Sequence, residues 1–157
     1  MRIYLPATLL DLDLDPTAAT GPRELAARRA HAVTPALREM FPDDEDEGLE
    51  FAAQLAAADD SLELLGRTPG APRLRLVLTA DVPDSAVTAV LDPDAVPSAV
   101  DVDGPVPWDS IACGHVDEPA AAPDVLAALL GDDAAVDTLD ERDLLWYDSS
   151  ELDAIPR

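Results

Sequence analysis

The sequence contains no lysine, no asparagine and a single cysteine, Cys113. One cysteine excludes an internal disulfide and fits a reducing cytoplasm. Without lysine, the phosphate-cradling loop G-x-x-x-x-G-K-[ST] cannot be built, and that motif is absent. The patterns G-x-G-x-x-G, G-x-S-x-G, H-E-x-x-H and C-x-x-C are missing as well. These gaps remove the commonest nucleotide, hydrolase and zinc classes, so no cofactor is expected and the chain leans away from being an enzyme. Aromatic residues make up only 4%, which leaves leucine, valine and alanine to build the core. No apolar run reaches the roughly 18 residues of a membrane span. The opening "MRIYLPATLLDLDLDP" carries acids directly after a short apolar run and lacks the small-residue cleavage site of a signal peptide. The expected location is therefore cytoplasmic, with no membrane partner.

What is present is acid. The 157 residues carry a net charge of −23, unevenly distributed. Residues 1–42 hold five arginines and five acids, whereas residues 43–157 hold five arginines and 28 acids (5 − 28 = −23). Such a field repels nucleic acid, so DNA and RNA are not expected as partners. Solubility is the plainest reason for the acidity, and a basic protein partner or mimicry of nucleic acid are the alternatives. All ten basic residues are arginine, and alanine, aspartate, proline and valine abound. That bias reads as a GC-rich genome rather than as a demand of the fold.

Along the chain, "RIYLP" alternates as a first strand. Asp11, Asp13 and Asp15 imitate the start of a calcium loop. Pro16 stands where the loop needs glycine, and Pro22 where it needs its final glutamate. A polar edge strand or loop is the better reading. Thr20-Gly21-Pro22 starts a short helix, "RELAARR", and Thr34 caps a second with Pro35 in its first turn. Asp44 and Glu47 fit a capping box for the longest helix, "GLEFAAQLAAADDSLELLG", with Phe51, Leu55, Ala58, Leu62 and Leu65 as its buried stripe. "RLRLVLTADV" reads as a central strand, and "AVDVDGPVPW" as a strand running into a Gly-Pro turn. "SIACGHVDE" is the next strand. A helix over Pro119–Leu130 follows, with Val125, Leu126, Leu129 and Leu130 inward and Gly131 as its stop. "DLLWYD" is the last strand, and Asp148 with Glu151 caps a terminal turn. Together these elements predict a single α+β domain over residues 1–157. Its mixed sheet has about four to five strands with helices mainly on one face, and its simplest compact form is ferredoxin-like.

Two clusters of side chains have chemical potential. Arg28, Arg29, His31 and Arg38 form the one locally basic patch, and Thr34 begins a helix whose free N–H groups favour an anion. The competing reading pairs these arginines with the chain's own acids and satisfies His31 internally. Cys113, His115 and Asp117 alternate along a strand and so share a face, which makes them weak candidates for a metal or an activated thiolate. Side chains two apart on a strand sit about 6.5–7 Å apart, too far for a direct Cys–His hydrogen bond. Ordinary packing is the stronger reading there. Trp108 and the pair Trp146-Tyr147 fill the core or its edge.

The segments "MRIYLPAT", "AHAVTPALRE", "ADVPDSAV", "GPVPWDSIACGHVDE" and "LLWYDSSEL" together resemble a family of small uncharacterised proteins from high-GC Gram-positive bacteria. The resemblance runs through nearly the whole chain. It implies a cytoplasmic bacterial protein and transfers no site. The leading expectation is a non-enzymatic domain that acts through a protein partner or self-association. A small-ligand, anion-binding protein or an enzyme using the His31/Arg38 patch is the alternative. An acidic mimic of nucleic acid is the third.

Overall fold

A computed structural model describes residues 1–13, 23–90, 92 and 94–156. The expected helix start at Thr20-Gly21-Pro22, and Asp15 and Pro16 of the calcium-like run, lie outside these residues. In chain order the elements are β1 (Arg2–Ala7), β2 (Glu24–Leu25), β3 (Arg29–His31), α1 (Pro35–Met40) and α2 (Asp46–Arg67). Then come β4 (Leu76–Asp81), β5 (Val87–Ala89), β6 (Ala99–Val102), β7 (Val106–Pro107) and β8 (Ile111–Val116). The chain closes with α3 (Ala122–Leu129), α4 (Asp133–Asp140) and β9 (Leu145–Asp148), followed by a 3-10 turn at Ser149–Ala154.

Helix and strand are mixed as the sequence predicts, but the sheet is larger and simpler in direction. Among the described residues the main sheet has seven strands, ordered β5-β6-β3-β1-β4-β8-β9, and β2 pairs separately with β7. The expectation of four to five strands falls short because the two- and three-residue strands are too brief to show periodicity. Every pairing is antiparallel, so the sheet is not mixed. A ferredoxin-like sheet repeats a split β-α-β unit, in which two helix-linked strands run parallel with an antiparallel strand between them. β3 and β4, linked through α1 and α2, form one such unit around β1, whereas β8 and β9, linked through α3 and α4, pair directly and form no second one. Here β1 and β4, the central pair, run antiparallel over six partners from Arg2↔Asp81 to Ala7↔Leu76.

Alternation sorts the strands onto two faces. Ile3, Leu5, Leu76, Leu78, Val100 and Ile111 point to one face. There they are covered by the 3-10 turn Leu9–Asp13, the β2/β7 pair and the terminal turn with Leu152 and Ile155. Tyr4 and Val77 point to the other face, beneath α2 and Leu37 of α1. Gly114 of β8 shows how closely the first face is packed: a Cβ there would lie 2.6 Å from the buried Leu152 side chain.

Helix α2 departs from its expected stripe. Phe51 is 53% exposed and Leu55 and Leu62 are half-buried; the buried positions are Leu49, Ala53, Ala57, Ala58, Ser61 and Leu65, so of the expected stripe only Ala58 and Leu65 are fully buried. Small residues in the middle let the helix approach the sheet, and the leucines close its ends. Ser61 explains the choice. Its buried Oγ donates to the Ala7 carbonyl at 2.8 Å and accepts the Leu76 N–H at 2.9 Å, joining α2 to both central strands. The expected Asp44/Glu47 capping box is not formed; Glu45 stands at the helix start without a side-chain cap bond. Asp46 and Glu47 still face the positive end of the dipole.

The segment "RELAARR" is not helix; it holds β2 and the start of β3, with Leu25 paired to Val106 and fully buried and Arg29 paired to Asp101. Tertiary pairing outweighs helix propensity there. Thr34 caps α1 as expected, its Oγ1 accepting the Leu37 N–H. Asp148 and Glu151 form the expected capping box. Gly131 ends α3 with φ at 91°. Helix α4, which no sequence signal was read to predict, starts directly after it, where Asp132 accepts the Ala134 N–H. The turn leaves Leu126 exposed and Leu130 81% exposed, while Val125 is buried as expected.

Candidate functional site

Helix α2 crosses β3, β1 and β4 and leaves the sheet open on each side. The two open flanks hold the two clusters singled out from the sequence.

The larger flank is a cleft of about 550 Å³ over β3 and β6. Arg28, Arg29 and His31 enter it from β3 and the chain before it; Asp60, Glu63 and Arg67 enter from α2. Asp94, Val96 and Leu64 complete its walls. Arg38 and Thr34 do not belong to it. Arg38 pairs with Asp46 at 2.6 Å, and the Thr34 hydroxyl bonds the Pro97 carbonyl while capping α1. The basic patch of the sequence is thus divided by the fold.

The arginines that remain in the cleft each have a carboxylate. Arg28 lies against Asp11 at 2.9 Å and donates to the Pro6 carbonyl at 2.9 Å. That clasp also explains Asp11, which accepts the Thr8 N–H at 2.8 Å and serves the fold rather than calcium. Arg29 pairs with Asp101 at 3.4 Å, and Arg67 with Glu63 at 2.6 Å. Asp94 has no cation partner among the described residues, and Asp60 faces only His31. With the pairs cancelled, the cleft is acidic, not basic. Of the residues expected to hold an anion, Arg28, Arg29 and His31 line this cleft, and Thr34 and Arg38 lie outside it.

His31 is 1% exposed and sits in a hydrogen-bonded row. Its Nδ1 lies 2.9 Å from Ser98 Oγ and its Nε2 lies 3.0 Å from Asp60 Oδ2. Serine, histidine and aspartate in a row suggest a catalytic triad. The row runs the wrong way for one. Ser98 is 2% exposed, so its hydroxyl has no access to a substrate, and the carboxylate is the end that reaches the cleft. In the neutral imidazole, Nε2–H donates to Asp60 and the Ser98 hydroxyl donates to Nδ1. The row therefore fixes the Asp60 carboxylate at the cleft wall. Asp60 and Ser98 carried no motif; only spatial adjacency reveals them.

The smaller flank is a pocket of about 320 Å³ over β1, β4, β8 and β9. Cys113 and His115 lie in it, so the structure keeps these two of the three alternating residues together. Asp117 is elsewhere, past the end of β8. There it is buried in a two-pronged ion pair with Arg75, at 2.9 Å from Nη2 and 3.1 Å from Nε. Asp117 also accepts the Arg75 backbone N–H at 2.7 Å, and Arg75 reaches the Leu139 carbonyl of α4. That pairing separates the Asp117 carboxylate from Cys113 and His115. Among the described residues no three His, Cys, Asp or Glu side chains are placed to hold an ion. Tyr4, Thr79 and Cys113 form a row across β1, β4 and β8, register partner to register partner. Burial pushes the Tyr4 pKa up, and neighbouring Glu50 adds to it. Burial holds His115 below the usual histidine range. Two atoms here are buried without a hydrogen-bond partner: Thr79 Oγ1 and His115 Nδ1.

The fold and these flanks define an α+β domain built on an antiparallel sheet, with one long helix separating two surface sites. The chain belongs to a family of unknown function, DUF6912, whose model matches residues 1–155. No curated protein and no solved structure matches it. Among the described residues, no helix is long and apolar enough to cross a membrane.

Proposed function

We propose that this protein is a non-enzymatic cytoplasmic binding domain whose larger cleft receives a basic segment of a protein partner. One observation carries the reading: every arginine lining the cleft already has a carboxylate, whereas Asp60 and Asp94 face it without a cation. The −23 charge of the chain extends the same field over the surface and speeds encounter with a positive partner. Val96 and Leu64 offer apolar contact for the stem of an arginine or lysine side chain. The buried serine at the far end of the His31 row supports binding over nucleophilic catalysis.

Titration calorimetry with an arginine- and lysine-rich peptide, an acidic peptide and inorganic phosphate tests this. The basic peptide binds, its affinity falls as salt rises, and Asp94→Asn weakens it. Binding of phosphate or the acidic peptide in its place refutes the proposal. So does an Asp94→Asn variant that binds the basic peptide unchanged.

A further inference from the structure

The smaller pocket lies on the other side of α2 and shares no residue with the cleft. Its floor contains a group with an unmet hydrogen bond. Thr79 lines the pocket and is 3% exposed, and its Oγ1 is buried without a partner. His115 Nδ1, diagonal to it across β4 and β8, is buried and equally unpartnered. Buried polar atoms are normally satisfied, so two exceptions in one concavity mark a place shaped for a polar visitor. At the rim stands Trp146, 59% exposed, beside Glu50 and Gln54.

We infer that this pocket is a second ligand site, for a neutral polyhydroxylated ring of monosaccharide size. A ligand hydroxyl donates and accepts, so one type of group satisfies both the Thr79 hydroxyl and the imidazole nitrogen. The exposed indole gives the C–H face of such a ring an apolar platform. Glu50 and Gln54 supply an acceptor carboxylate and a two-way amide for the outer hydroxyls. Neutrality matters, because the chain's charge repels phosphorylated forms. The volume, about 320 Å³, is at the small end of ligand pockets and suits one ring rather than a chain of them.

The test follows the imidazole and indole nitrogens by NMR while free monosaccharides, their phosphates and nucleobases are added at millimolar concentrations. The chain has only two histidines and two tryptophans, so the signals are few. A neutral sugar shifts the His115 and Trp146 resonances and leaves those of His31 in place. Thr79→Val, which keeps the shape and removes the hydroxyl, weakens that sugar about tenfold and leaves the protein folded. Three outcomes overturn the inference: no neutral sugar shifts these signals, nucleobases or sugar phosphates bind in preference, or Thr79→Val binds sugar as well as the parent does. Failure here leaves the basic-peptide cleft unaffected, because the two sites share no residue.

Discussion

Asp117→Ala tests the account of the most deeply buried charges. The Arg75 and Asp117 side chains are 3% and 0% exposed, and the carboxylate holds the Arg75 guanidinium and backbone N–H together. Removing the carboxylate leaves an arginine charge with little water and only the Leu139 carbonyl as partner. Breaking such a pair from one side destabilises by about 3–5 kcal/mol. For a chain of this length each kcal/mol lowers Tm by about 2–4 °C, so a fall of roughly 6–20 °C is expected. Urea unfolding read by circular dichroism should show the midpoint falling with the slope m unchanged, because the surface exposed on unfolding stays nearly constant. The double variant Arg75→Met/Asp117→Leu should recover most of the loss, since replacing both charges by apolar groups is often close to neutral. A fall below about 1 kcal/mol for Asp117→Ala, a size typical of an exposed pair, refutes the reasoning. So does a double variant as unstable as the single.

Two further changes probe the core. Ser61→Ala strips partners from the Ala7 carbonyl and the Leu76 N–H in one step, and about 1–3 kcal/mol for each buried group left unmet should appear in the same unfolding assay. His115 gives a pH dependence. Burial lowers its folded pKa below 6.5, so the unfolded chain binds the extra proton first as pH falls. Stability should therefore drop as pH falls through 6.5 and level off below the folded pKa. His115→Gln should remove this component, seen as the difference between the two proteins' urea midpoints at pH 7.5 and pH 5.5 (about one unit either side of the free histidine pKa).

Local chemistry alone decided several features of this protein. Thr34-Pro35, Gly131 and the Asp148/Glu151 pair act on backbone groups within four residues of themselves, so their helix start, helix stop and capping box were legible in sequence. The strands of "RIYLP", "RLRLVLTADV", "SIACGHVDE" and "DLLWYD" were equally clear, because a run of alternating or dense apolar side chains needs a sheet to bury it. Only the tertiary structure decided the sheet's seven antiparallel strands, since strand order and direction depend on partners far along the chain. Only it placed Ala53, Ala57 and Ser61 on the sheet-facing side of α2, where close approach to the sheet outweighs the bulk of Phe51. It also set the electrostatic sign of the larger cleft. In the sequence Arg28, Arg29 and His31 form the one basic patch. In the folded chain Asp11, Asp101 and Asp60 come from 17, 72 and 29 residues away to meet them, and ion pairing at that range is a property of the fold.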